Sequence, residues 1–291
     1  MKAYIWRHEG KPTNFGDELN EYLWSRLLPG FFDQKEDAVF FGVGTILQKK
    51  FFDSYPPETR FIIFGSGVGY MTPPEVTDHW ETYFVRGPLT AEVLDLPKKL
   101  AITDPGILVR DIISEKREKA YEFSFMPHWQ YNSPDMWGKA CECQGIKLID
   151  PRKPVDQVIE DISRTEILVT ETLHGAVVAD SLRIPWIPVM TNPNILKFKW
   201  DDWCKTIKVG YDPYVLPDLR ITKYKFPRAK QIEVKVRRML QVRGEYSKAG
   251  EELKSLANAV DPVLSKEDTV KKLHAKVIFQ LEKLRRDHEN D

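Results

Sequence analysis

Short apolar runs alternate with segments of helical period along most of this chain. Residues 3–6, 38–41, 60–64, 82–85 and 102–104 read as strands in the first part. Residues 122–126, 146–150, 167–170, the run after Pro185, and 207–209 read so in the second. Between them, Leu19, Tyr22, Leu23 and Leu27 follow Asp17 at helical spacing, and residues 155–163 form an amphipathic helix. Apolar strands separated by helices predict parallel sheets covered on both faces. The charged stretch 110–119 resembles a linker. The expected architecture is therefore α/β: two Rossmann-like domains, 1–115 and 116–219, facing across a cleft in a GT-B-like arrangement. Beyond them, Ile232, Val236, Met239 and Leu240 make one helical stripe and Val270, Leu273, Val277, Leu281 and Leu284 another. Ser265 with Asp268 has the spacing of a capping box. Residues 220–291 are thus expected to be a helical tail that folds back on the body.

Candidate chemistry gathers at the carboxyl ends of the expected strands, where loops enter helix N-termini that favour anions. The central segment runs strand, polar break, helix, strand, with His174 and Gly175 at the break. A glycine admits close approach to the backbone, and a histidine titrates near neutral pH. His128 follows another strand, and Asp17 stands above the first, where it also suits a helix N-cap. Gly65-Ser66-Gly67 follows the third strand and Arg86 the fourth, while Asp104-Pro105 has the form of a cap and first helical residue. Lys197, Trp200 and Trp203 suit a sugar-lining role, with core packing as the plainer use.

Composition narrows the classes. The 291 residues carry 43 basic and 43 acidic side chains, so net charge points to no nucleic-acid partner. The balance is uneven, however: 18 basic and 11 acidic residues follow position 219, giving the tail +7. Such a tail suits the acidic body or an anionic membrane surface. Three cysteines, two of them Cys141 and Cys143, argue for a reducing compartment, and no His/Cys spacing predicts a metal site. With no signal-like or membrane-spanning run, a cytoplasmic protein, at most peripherally attached, is expected.

The ordered motifs Asn14-Phe15-Gly16-Asp17, the Gly-x-Gly turns, Arg86-Gly87-Pro88-Leu89-Thr90, Thr103-Asp104-Pro105-Gly106 and Glu171-Thr172-Leu173-His174-Gly175 resemble the polysaccharide pyruvyltransferase family, in its exopolysaccharide ketal branch. The resemblance covers about residues 4 to 210. It implies phosphoenolpyruvate as co-substrate, a glycan or lipid-linked oligosaccharide as acceptor, and no metal or other cofactor. His174 then matches the histidine near the donor, Asp17 the motif aspartate, and Arg86 the turn arginine. One departure stands out: where most members carry Arg two residues before the histidine, this chain has Thr172. Either Arg183, Arg7 or Lys197 supplies the missing cation, or the donor differs.

Ketal formation needs an acid, a base, anion binders and exclusion of water. His174 is expected to protonate the donor and Asp17 to deprotonate the acceptor. Arg86, Arg183, Gly67, Gly175, His128 and Lys197 are expected around the donor, and Asn14, Arg7 and Trp200 around the acceptor. The rival readings are a nucleotide-sugar glycosyltransferase of the same fold and a non-catalytic glycan-binding assembly protein.

Overall fold

The computed structural model describes residues 1–7, 14–33, 35, 37–113, 117–130, 134–219 and 231–288, with the side chains of 134–135 and 231–243 outside that description. Among these residues, β1 (Lys2–Ala3), β2 (Ala38–Phe41), β3 (Arg60–Phe64) and β4 (Trp80–Phe84) form one parallel sheet in that order. It is accompanied by α1 (Phe15–Leu27), α2 (Lys49–Phe52), α3 (Pro88–Val93) and α4 (Val109–Ile112). The second parallel sheet has the order β6 (Lys147–Leu148), β5 (Tyr121–Met126), β7 (Thr165–Thr170), β8 (Trp186–Met190), β9 (Tyr214–Val215). With it run α5 (Pro134–Glu142), α6 (Val155–Ser163), α7 (Leu173–Ser181) and α8 (Lys197–Ile207), and α9 (Gln231–Ala259) and α10 (Glu267–Asp287) follow.

Successive strand residues enter opposite cores, as the pleat requires. Val39, Phe41, Phe61 and Ile63 pack on one side of the first sheet. Phe40, Ile62 and Phe64 pack on the other, in a core shared with Met126, Leu168 and Trp186 of the second sheet. This shared core explains α7: apart from His174, its side chains from Leu173 to Ser181 are buried, so the helix is apolar nearly all round. It also receives Val270, Leu273, Val277, Leu281 and Leu284 of α10, whose stripe is buried as its spacing predicts. The C-terminal part of α9 lies on α5 so closely that a Cβ on Gly250 would stand 2.3 Å from the Ala140 carbonyl oxygen. The tail therefore does fold back. The stripe from Ile232 to Leu240 lies outside the described side chains.

Several expected boundaries move. α1 begins at Phe15 with Asn14 as its N-cap, so Asp17 sits inside the first turn and its carboxylate is released for another use. Residues 102–104 form no strand; pairing stops at the single bridge of Ala101 to Val85. Residues 207–209 are not a strand either, because α8 runs through Ile207 and ends on the left-handed Lys208 (φ 61°); the edge strand is β9. Ser265 does not cap α10: its N-cap is Lys266, and the Ser265 hydroxyl donates instead to Asp180 Oδ1 at 2.5 Å. Among the described residues no helix is long and apolar enough to cross a membrane.

Candidate active site

A cavity of about 280 Å³ opens where loops from both sheets meet. Trp6, Thr45 and Tyr70 reach it from beyond β1, β2 and β3, and His128 and His174 from beyond β5 and β7. Every one follows a strand's carboxyl end, the edge at which open α/β sheets bind ligands. Asp17 and His174, one associated with each sheet, line this one cavity.

His174 is held from two sides. Its imidazole lies against Gly16 so closely that a Cβ there would stand 2.1 Å from Nδ1, which is why a glycine precedes Asp17. Its Nε2 faces Asp104 Oδ2 at 3.5 Å, and both atoms are buried without another partner. The other oxygen of Asp104 accepts the Gly106 N–H at 2.9 Å, so this residue caps its turn as expected and faces the histidine as well. Burial pushes the Asp104 carboxyl up, yet the charges of His174 and Arg86 and the Gly106 N–H outweigh it and hold it below its ordinary value. The carboxylate therefore fixes a proton on Nε2, and Nδ1 is the nitrogen beside Gly16, on a ring that lines the cavity.

Asp17 Oδ2 accepts a 2.8 Å hydrogen bond from the Asn14 side chain, whose amide is thereby diverted from capping α1. Burial drives the Asp17 pKa up to about 6, against the lowering effects of Asn14, His174 and Lys199. A carboxyl with that pKa exchanges protons near neutrality, as a general base must.

Lys199 on α8 is the buried cation of the cavity. It is 9% exposed, its Nζ donates to the Tyr70 hydroxyl at 2.7 Å, and among the described residues it makes no ion pair. A desolvated ammonium without a carboxylate partner is costly unless an anion completes it. His128, close by, is kept neutral: burial and the charge of Lys199 push its pKa down to about 3. Its Nδ1 accepts the Gln130 N–H at 3.3 Å, which assigns the ring proton to Nε2.

Behind these groups, Glu171 fastens the strand ends. Its two oxygens accept the His128 N–H at 2.9 Å and the Thr191 N–H at 2.6 Å, linking the loops beyond β5, β7 and β8. Thr172 caps α7 by accepting the Gly175 N–H at 3.1 Å and meets the Thr170 hydroxyl at 3.0 Å. The position that departs from the family pattern is thus engaged in the helix cap.

The structure corrects seven expected site residues. Arg86 is fully buried and does not reach the cavity: it binds Asp202 at 3.2 Å, the Thr45 hydroxyl at 2.8 Å and the Val68 carbonyl at 3.2 Å. It locks α8 to the first sheet. Arg183 lies past the far end of α7, where it binds Glu267 at 2.7 Å; nine helical residues separate it from the cavity by roughly 13 Å. The Gly67 N–H is taken by the Gly44 carbonyl at 2.9 Å and the Gly175 N–H by Thr172, so neither amide is open to an anion. Lys197 faces outward and pairs with Asp201 at 2.7 Å. Arg7 binds Glu18 and Glu21 on the exposed side of α1. Trp200 is fully buried and stacks on Tyr211 at 4.6 Å; Trp203 is likewise core. His128 and Asn14 do line the cavity with Asp17 and His174.

The chain belongs to the polysaccharide pyruvyl transferase family, whose family model matches residues 4–193, and it is accordingly a transferase. It is similar to the succinoglycan biosynthesis protein ExoV of Rhizobium meliloti (strain 1021), with 40% identity over 220 residues, 75% of this chain and 68% of that protein. The family match ends at residue 193, before α8 and Lys199.

Proposed function

We propose that the protein transfers the enolpyruvyl group of phosphoenolpyruvate to two hydroxyls of one sugar, in an exopolysaccharide or its lipid-linked repeat unit, and releases phosphate. The observation that carries this reading is the convergence in one cavity of an imidazole backed by a carboxylate, a second carboxyl that burial pushes up to about 6, and a buried ammonium that makes no ion pair among the described residues. The name of the relative ExoV, a succinoglycan biosynthesis protein, supports an exopolysaccharide acceptor.

His174, as imidazolium, gives its Nδ1 proton to the methylene carbon, and C2 gains oxocarbenium character. The first sugar hydroxyl attacks C2 as Asp17 takes its proton, and phosphate leaves carrying that proton. The second hydroxyl then closes the ketal ring and returns a proton to His174. Lys199 and the His128 Nε2–H bind the donor's carboxylate and phosphate, Lys199 serving in place of an arginine at position 172. Asn14 orients Asp17.

The same reading makes residues 1–115 and 116–219 two Rossmann-like domains of a GT-B-like enzyme, whose closure excludes water. The +7 tail of residues 220–291 supports peripheral contact with an anionic membrane face where the acceptor is lipid-linked.

A thermal-shift panel tests the donor. Phosphoenolpyruvate should raise the melting temperature while uridine and guanosine diphosphate sugars leave it unchanged. The reverse pattern contradicts the proposal.

A further inference from the structure

The cavity has two chemically different ends. Its polar groups Asp17, His174, His128 and Lys199 are buried or half-buried, whereas Tyr70, 46% exposed, and Met71, 56% exposed, stand at its open part together with the exposed Lys50. Phe51, Trp6 and Trp129 complete that rim, each half-buried. Large apolar side chains left in water around a cavity mouth call for a ligand surface.

Tyr70 is the best defined of them. Its hydroxyl accepts from Lys199 Nζ at 2.7 Å, while the same nitrogen lies 5.3 Å from the ring centroid. Together these distances put the ammonium off the hydroxyl edge, so it leaves the ring faces uncovered. The loop beneath is held: a Cβ on Gly69 would lie 2.7 Å from Leu196 Cδ2, and the Lys49 N–H donates to the Thr72 carbonyl at 2.9 Å. The ring is thus a fixed plate, fastened at its edge to the cation of the catalytic end.

We infer that Tyr70 is the acceptor platform, stacking on the C–H face of a hexopyranose so that two of its hydroxyls reach toward Asp17. The inference rests on the transferase reading above and adds the place and orientation of the acceptor. Hexoses with mainly equatorial substituents offer such a flat apolar face, and a ring edge bound to Lys199 sets the stacked sugar beside the donor's anionic groups.

The test is titration of β-linked gluco- and galacto-oligosaccharides into wild type, Tyr70→Ala, Tyr70→Phe and Tyr70→Trp, with phosphoenolpyruvate titrated into each in parallel. Because Tyr70 is an exposed loop residue, all four should fold, which the melting temperature verifies. Tyr70→Ala should weaken glycan binding about tenfold, while Phe and Trp, which keep an aromatic face, should hold it within about threefold. Equal glycan affinity in Tyr70→Ala and wild type overturns the platform. So does a wild type that binds none of these glycans while still binding phosphoenolpyruvate. Absence of phosphoenolpyruvate binding in wild type instead overturns the donor assignment, whatever the glycans do.

Discussion

Asp104 and His174, seventy residues apart in sequence, meet with 3.5 Å between Oδ2 and Nε2, each otherwise unpartnered and sealed from solvent. The pair gives the histidine a direction. With Nε2 facing a carboxylate held in its charged form, only Nδ1, beside Gly16, is left to exchange a proton with a substrate.

Asp104→Asn should separate this role from capping. The amide oxygen can still accept the Gly106 N–H, so the turn survives, but the charge that supports the imidazolium is gone. A fall in kcat of about 10²- to 10⁴-fold with little change in KM for the donor is expected. Steady-state phosphate release on a variant of unchanged melting temperature checks it.

Lys199→Met should act on donor binding. Losing a charge-assisted hydrogen bond worth about 1.5–3 kcal/mol weakens phosphoenolpyruvate binding roughly 10- to 150-fold. Calorimetric titration reads this directly. The comparison is Lys197→Met, whose side chain faces outward onto Asp201 and should leave donor affinity within twofold, by the small worth of an exposed pair, about 0.3–0.5 kcal/mol.

Asp17 ties activity to pH. As the base it acts when ionised, so kcat/KM should rise as pH increases through about 6, and Asp17→Asn should abolish that limb. The stability effect has the opposite sign. Folding raises this carboxyl from 3.8 to about 6, so its contribution is present below 3.8 and is lost as pH rises through 6. At pH 8 the ionised group weakens the fold, and Asp17→Asn should be more stable than wild type by on the order of 1–3 kcal/mol. Denaturant melts at pH 4 and pH 8 should show that gap only at the higher pH.

Arg86→Ala should reveal a structural residue. It strands Asp202, fully buried, with its charge uncompensated, at a cost of about 3–5 kcal/mol. Chemical denaturation measures the loss, and the molecules that remain folded should bind phosphoenolpyruvate with near-normal affinity. Donor affinity lost without destabilisation would return Arg86 to the binding site.

How far the sequence discloses such a site depends on the range of each signal. Leu19 and Leu23 on α1, and the Val270–Leu284 stripe on α10, are local periodicities, and burial follows them. The polar break before His174 is equally local, whereas the glycine against which its ring packs, Gly16, lies on a distant segment of chain and only the fold brings the two together. Asp104 is readable only by half: its cap with Gly106 spans two residues, whereas its second oxygen meets a group on another segment of chain. Lys197 and Lys199 lie on different faces of α8, and periodicity alone leaves that phase undecided. The i,i+4 spacing of Lys197 to Asp201 is the local sign that Lys197 has a partner on its own helix. Trp200 misleads for a physical reason, since a ring that suits a sugar also suits a core, and here the core holds it against Tyr211. Arg183 is near His174 in number and a helix length away in space.

The central claim is that the Nδ1 proton of His174 starts the reaction, and His174→Ala tests it most directly. Phosphate release from phosphoenolpyruvate, measured with a glycan acceptor, should fall about 10²- to 10⁴-fold while the protein stays folded and still binds the donor. Turnover near the wild-type rate in a folded His174→Ala protein would contradict the account.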